Sequence, residues 1–113
     1  MKRPNDVTRL RHMLEAAEEA REFLGGAPFE DFQNNRMMAN AIIRSLEVLG
    51  EAASQISDAF RGQHPELEWR VMAGMRNRLI HAYFAIDYQL VWQTANNDLP
   101  ELIAKLKNLL PDA

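Results

Sequence analysis

Apolar residues recur along most of this chain at the three-to-four-residue spacing of an amphipathic helix. Val7, Leu10, Leu14, Ala17 and Leu24 fall near one face of a first predicted helix. Asn5 or Asp6 is placed to cap its start, and Gly25-Gly26 followed by Pro28 to end it. Glu15, Glu18, Glu19, Arg21 and Glu22 make its outer face a solvated one. A longer second helix is predicted from about Phe32 to Phe60, on the stripe Met38, Ile42, Ser45, Leu46, Leu49, Ala53, Ile56 and Phe60. Gly50 lies inside it at a cost of roughly 1 kcal/mol against alanine, which predicts the close approach of another helix. Glu47 and Glu51, at i and i+4, repel mildly unless cationic partners reach them.

Gly62-Gln63-His64-Pro65 breaks the pattern and places His64 in a surface loop rather than in a metal site. A short helical piece, Glu66 to Ala73, follows with Trp69 as its apolar anchor, and Gly74 permits a bend or a tight contact. The next helix is predicted to end near Phe84 or Ala85. Asp87 is positioned to cap a helix from Tyr88 to about Asn97 that carries Leu90, Val91 and Trp92. Pro100 either opens a final helix capped by Asp98 or kinks a continuous one. Leu102, Ile103, Leu106, Leu109 and Leu110 form the last stripe, and Pro111 stops it. No strand pattern competes, and no repeat of about 20–50 residues is present. The predicted class is all-α: one domain over residues 1–113, an up-and-down bundle of four main helices with additional short ones.

Length supports the single domain, since the chain has 113 residues. A hydrophobic fraction of 47% and a charged fraction of 26% are ordinary for a soluble globular protein. Cysteine is absent, so there is no disulfide framework and no thiolate metal site, and a cytoplasmic location is expected. Met1-Lys2-Arg3 is followed by Pro4-Asn5-Asp6 rather than by an apolar run, so no signal peptide is expected. No apolar run approaches the ~18 residues of a membrane span. The formal net charge is −3, so attraction for nucleic acid has to come from a local cluster, for which Arg70, Arg76 and Arg78 are candidates.

The densest chemistry lies in Arg76-Asn77-Arg78-Leu79-Ile80-His81-Ala82-Tyr83. On one ideal helix, at about 100° per residue, Asn77, His81 and Phe84 share a face and Arg76 shares another with Tyr83. Arg76 and His81 then stand about 140° apart. Their convergence requires a distortion, a long arginine reach, or a second copy of the segment, which makes a homodimer the natural way to build a site. Histidine moves protons near neutrality, and arginine presents a planar fork that matches phosphate oxygens. Asparagine can fix an imidazole tautomer or bind substrate. Together these groups suit metal-free cleavage of an RNA phosphodiester by the neighbouring 2′-hydroxyl.

The segment resembles the R-x4-H-x-Y signature of HEPN-domain ribonucleases, and more narrowly of HepT-like toxins. The resemblance continues through Ile43 to Ala53, Trp69-Arg70, Gly74 to Asn77, Tyr83-Phe84, Val91-Trp92 and Asp98 to Leu102, in matching order over roughly residues 36–106. It implies a HEPN fold, a homodimer with a composite cleft, and metal-independent RNA cleavage without a cofactor. Arg76 and His81 would be catalytic, with Asn77 and Arg78 in support. It also implies a cognate minimal nucleotidyltransferase antitoxin that neutralises the toxin by binding it or by transferring AMP from ATP to Tyr83. The added charge and bulk beside the arginines would repel an RNA phosphate. The alternative is a non-catalytic HEPN module that binds nucleotide or serves as the partner subunit of a nucleotidyltransferase.

Overall fold

The computed structural model describes residues 5–111. Met1-Lys2-Arg3-Pro4, on which the signal-peptide expectation turned, lies outside them. The elements are α1 (Asp6–Leu24), α2 (Phe29–Gln33), α3 (Arg36–Ser54), α4 (Asp58–Gln63), α5 (Trp69–Ala73), α6 (Met75–Leu79), a small antiparallel pair β1 (Ile80–Ala82) and β2 (Ala85–Ile86), then α7 (Tyr88–Gln93) and α8 (Leu99–Leu109). The fold is an all-α bundle, with α1 packed between α3 and α8, and α5 laid across α3. None of the helices is long and apolar enough to cross a membrane, among the described residues.

The α1 contact is close because its inner face is small: Ala16, Ala17 and Ala20 are buried beside Leu10, Met13 and Leu24. Val7, expected in that stripe, is 37% exposed. Asn5 caps the helix through its side chain on the Thr8 amide, and Gly25 ends it with φ +56°, a left-handed conformation that glycine adopts without strain.

The long second helix predicted from Phe32 to Phe60 is three helices. Asn35 is extended and caps α3 through the Met38 amide at 3.0 Å, and Ser57 caps α4 through the Phe60 amide. Both caps hold their own backbone outside the helix. The apolar stripe itself is sound: Ile42, Ser45, Leu46, Leu49, Ala53 and Ile56 are all buried. Two arginines close the C-terminal end of α3, Arg61 donating to the Ala53 carbonyl at 2.8 Å and Arg9 to that of Gln55.

Asp6 ties the start of α1 to the start of α4. Its carboxylate accepts from the Ser57 amide at 2.9 Å and from the Ser57 hydroxyl at 2.6 Å. The hydroxyl bond chiefly lowers the Asp6 pKa, against the opposing effect of burial. A carboxyl whose pKa is lower in the folded chain stabilises it above the ordinary carboxylate range, and that contribution fades as pH falls through the folded value. Ser57→Ala should cost about 1 kcal/mol at neutral pH. In urea melts this deficit should shrink as pH is taken down through the aspartate range; a pH-independent deficit would show that only the cap matters.

Thr94 to Asp98 form one wide π-helical turn joining α7 to α8. Asp87 caps α7 as expected, on the Leu90 amide at 3.0 Å. Pro100 stands in the first turn of α8, preceded by Asp98, whose side chain makes no capping bond. The backbone stays helical throughout, so Pro100 takes the first-turn position expected of it, but without the Asp98 cap. Proline has no amide hydrogen for the Asn96 carbonyl. The Arg21 guanidinium supplies donors instead, at 3.3 Å from that oxygen and 3.2 Å from the Ala95 carbonyl.

Candidate functional site

The site region is held by α5, and α5 by two contacts. Trp69 is buried, with its indole N–H on the His64 carbonyl at 2.9 Å, and its ring meets Phe60 edge-on. His64 stacks at 4.4 Å on Phe60 and lies 3.2 Å from Glu66, a local packing role. The second contact is at Gly50. A Cβ there would stand 2.8 Å from the Met72 carbonyl oxygen, so only glycine lets α5 lie this close to α3. The close helix approach predicted from Gly50 is therefore present.

Gly74 separates two five-residue helices, ending α5 and starting α6. Met75 and Leu79 bury the inner side of α6, leaving Arg76, Asn77 and Arg78 exposed. The helix stops at Leu79, not near Phe84. Ile80 turns extended (φ −127°, ψ 103°), and its buried branched side chain pairs with Ile86 across the hairpin. The Asp87 amide closes the base on the Leu79 carbonyl at 2.8 Å.

This small hairpin overturns two expectations: that no strand forms, and that Asn77 and His81 share a helical face. Strand alternation governs instead. Ile80 points in and His81 points to solvent. Tyr83 and Phe84 form the tip, 90% and 77% exposed, with ring centroids 5.1 Å apart. The other tyrosine, Tyr88, is half-buried and packs edge-on against Phe32.

Arg76 reaches the Asn77 side-chain oxygen at 3.4 Å and lines a cleft of ≈ 710 Å³ between α1, α3 and α5. Arg78 lines a different cleft, with Glu68, Asp98, Glu101 and Lys105. His81 and Tyr83 line neither of these two, and nor does Arg70. Of the arginines expected to cluster, Arg76 and Arg78 thus reach different clefts. What the chain does bring together is an ordered series of exposed polar groups along one helix and one hairpin, within eight residues from Arg76 to Tyr83.

The family model described as "Ribonuclease HepT-like" matches residues 13–109, which contain α5, α6 and the hairpin. The chain belongs to the HepT-like ribonuclease family. It is 43% identical over 100 residues to the "Probable ribonuclease HepT" of Thermococcus cleftensis, covering 88% of this chain and 91% of that one. It is 39% identical over 101 residues to the "Putative RNase TTE0752" of Caldanaerobacter subterraneus subsp. tengcongensis, covering 89% and 90%. It is 42% identical over 90 residues to the "Putative RNase MJ1380" of Methanocaldococcus jannaschii, covering 80% and 83%. No solved structure matches it significantly.

In this HepT-like ribonuclease the cleft beside Arg76 also contains Arg9, His12, Arg44, Glu47 and Glu51. His12 and Arg44 went unrecognised as site residues in the sequence. Spacing offered a signal for Arg44, because Arg44 and Glu51 are i, i+7 and fall on the same side of α3 as Glu47. The glutamates that were expected to repel or to find cations share their cleft with three arginines.

Proposed function

We propose that this chain is the toxin of a toxin–antitoxin pair, a metal-independent endoribonuclease that works as a homodimer. Its antitoxin is a minimal nucleotidyltransferase that restrains it by complex formation, by AMPylation of Tyr83, or by both. One observation carries the reading: His81 stands out to solvent, and Arg76 of the same chain lies in a cleft that His81 does not line. A second copy facing the first supplies the missing half of each site, with Arg76 and His81 catalytic and Asn77 and Arg78 supporting.

The chemistry needs no further group. Imidazole takes the proton of the 2′-hydroxyl, the O2′–P bond forms, and the P–O5′ bond breaks. The imidazolium returns that proton to the departing 5′-oxygen, and the products are a 2′,3′-cyclic phosphate and a free 5′-hydroxyl. The guanidinium of Arg76 holds the charge that gathers on the phosphoryl oxygens.

Tyr83 suits group transfer because its phenol is exposed at the hairpin tip. Its oxygen would attack the α-phosphorus of ATP, with pyrophosphate leaving. Intact-mass measurement after incubation with ATP and the nucleotidyltransferase encoded beside this chain should show added AMP, mapped by peptide to Tyr83 and lost in Tyr83→Phe. Modification on Tyr88 instead, or none, would refute this part. Expression of the chain alone should arrest growth, and co-expression of the transferase should restore it. A chain that binds nucleotide without arresting growth would favour the non-catalytic module, the reading that the net charge of −3 supports.

A further inference from the structure

Two clefts flank α6, and they differ in charge. In the one reached by Arg78, Glu68, Asp98 and Glu101 outnumber the cations. Lys105 there is already committed, 3.3 Å from Glu101 and 3.2 Å from the Glu66 carbonyl. In the cleft reached by Arg76 the balance is reversed, with Arg9, Arg44 and Arg76 facing Glu47 and Glu51, and His12 on the rim. Arg9 is held by the Gln55 carbonyl. Arg44 is exposed and makes no ion pair among the described residues. A chain that is acidic overall therefore gathers three guanidinium groups in one concave site, and that of Arg44 makes no ion pair among the described residues.

The volume, ≈ 710 Å³, falls within the range of about 300–1,000 Å³ typical of small-ligand pockets. Its lining is mixed, which is informative. Guanidinium forks match phosphate oxygens. Carboxylates would repel phosphate but accept hydrogen bonds from base amino groups and ribose hydroxyls. A nucleotide unit presents both kinds of group.

We infer that the α1–α3–α5 cleft is a nucleotide subsite for single-stranded RNA, in which Arg44 holds a backbone phosphate adjoining the one held by Arg76. Glu47 and Glu51 face the sugar and base of the nucleotide between them. The subsite extends the ribonuclease reading and rests on it for the identity of the ligand. It positions the strand and takes no part in bond breaking.

The test uses a fluorescein-labelled, mixed-sequence, 2′-O-methyl oligoribonucleotide of about 12 nucleotides, within the span of known single-strand sites. Lacking a 2′-hydroxyl, it binds without being cut. Fluorescence anisotropy is followed against salt with the full chain. Arg44→Ala should weaken binding about tenfold and make the slope of log K against log salt shallower by about 0.7, the signature of one lost phosphate contact on a single strand. Arg44→Lys should restore the slope. Lys107→Ala, on α8 and outside both clefts, should leave it unchanged. A misfolded variant would show itself in its circular-dichroism melt, and Arg44→Gln, which keeps the Cβ–Cγ–Cδ stem and a polar end without the charge, then provides the same reading. An unchanged slope in the folded Arg44 variants, or no binding by the wild-type chain, overturns the subsite. Cleavage of ordinary RNA is scored separately. Cutting by wild type with an Arg44-independent slope sinks the subsite alone, and an Arg44-dependent slope without cutting sinks the ribonuclease reading alone.

Discussion

His81→Ala is expected to abolish RNA cleavage and growth arrest while leaving the fold intact. Loss of a general acid–base group typically costs about 10²–10⁴ in rate. The side chain projects from the outer side of β1 and supports no packing, so stability should move by less than about 0.5 kcal/mol. Arg76→Ala should be similarly silent in thermal melts and similarly damaging in cleavage assays. Arg76→Lys should restore little, because an ammonium is a point charge without the bidentate fork. The proposed pairing of the two residues across protomers gives a sharper outcome. In that arrangement each single variant is inactive alone, but a mixed dimer of Arg76→Ala and His81→Ala holds one site with both groups native. Mixing the two after subunit exchange should therefore return a fraction of wild-type cleavage. If the mixture stays silent although mixed dimers form, Arg76 and His81 act within one chain, and the facing-copies arrangement is wrong. If His81→Ala cuts RNA as wild type does, the catalytic assignment itself fails.

The sequence was most readable where a single residue has one physical use. Asp87 could only cap the helix that begins at Tyr88, and Trp69 could only anchor a short helix; both do so. It was least readable where an apolar stripe runs on across a break in the backbone. Met38 to Phe60 keep helical spacing, but Ser57 and Asn35 use their side chains to cap new helices, and polar residues of these types also occur inside helices. The hairpin was hidden for a related reason. A strand of three residues has too little alternation to register, and Tyr83-Phe84 at its tip are not the glycine or asparagine that mark tight turns. Without that hairpin, His81 is assigned to a helix, and the wheel gives it the wrong neighbours. The position of Arg76 between α1 and α3 was beyond reach because it depends on how α5 lies against α3, a tertiary fact that spacing within α6 does not encode.

Gly50→Val is expected to be the most destabilising single change near the site, although valine forms helix better than glycine. A Cβ at position 50 would lie 2.8 Å from the Met72 carbonyl oxygen and 3.6 Å from the Met75 Cβ. Backbone cannot swing aside as a flexible side chain can. The gain in helix propensity, a few tenths of a kcal/mol for valine, is offset by overpacking of about 1–3 kcal/mol or more. For a domain of this size each kcal/mol corresponds to roughly 4 °C of melting temperature, so a loss on the order of 5–10 °C should appear in calorimetry. The relief available to the fold is to push α5 away from α3, and α6 moves with it because Gly74 is their shared residue. Arg76 then leaves the cleft that it shares with Arg44. Gly50→Ala, with a single methyl, should retain more stability and more oligonucleotide affinity than Gly50→Val, so that the two losses rise together across the pair. If affinity fell while the melting temperature held, Gly50 would be touching the ligand directly, and the spacer role assigned to it would not stand.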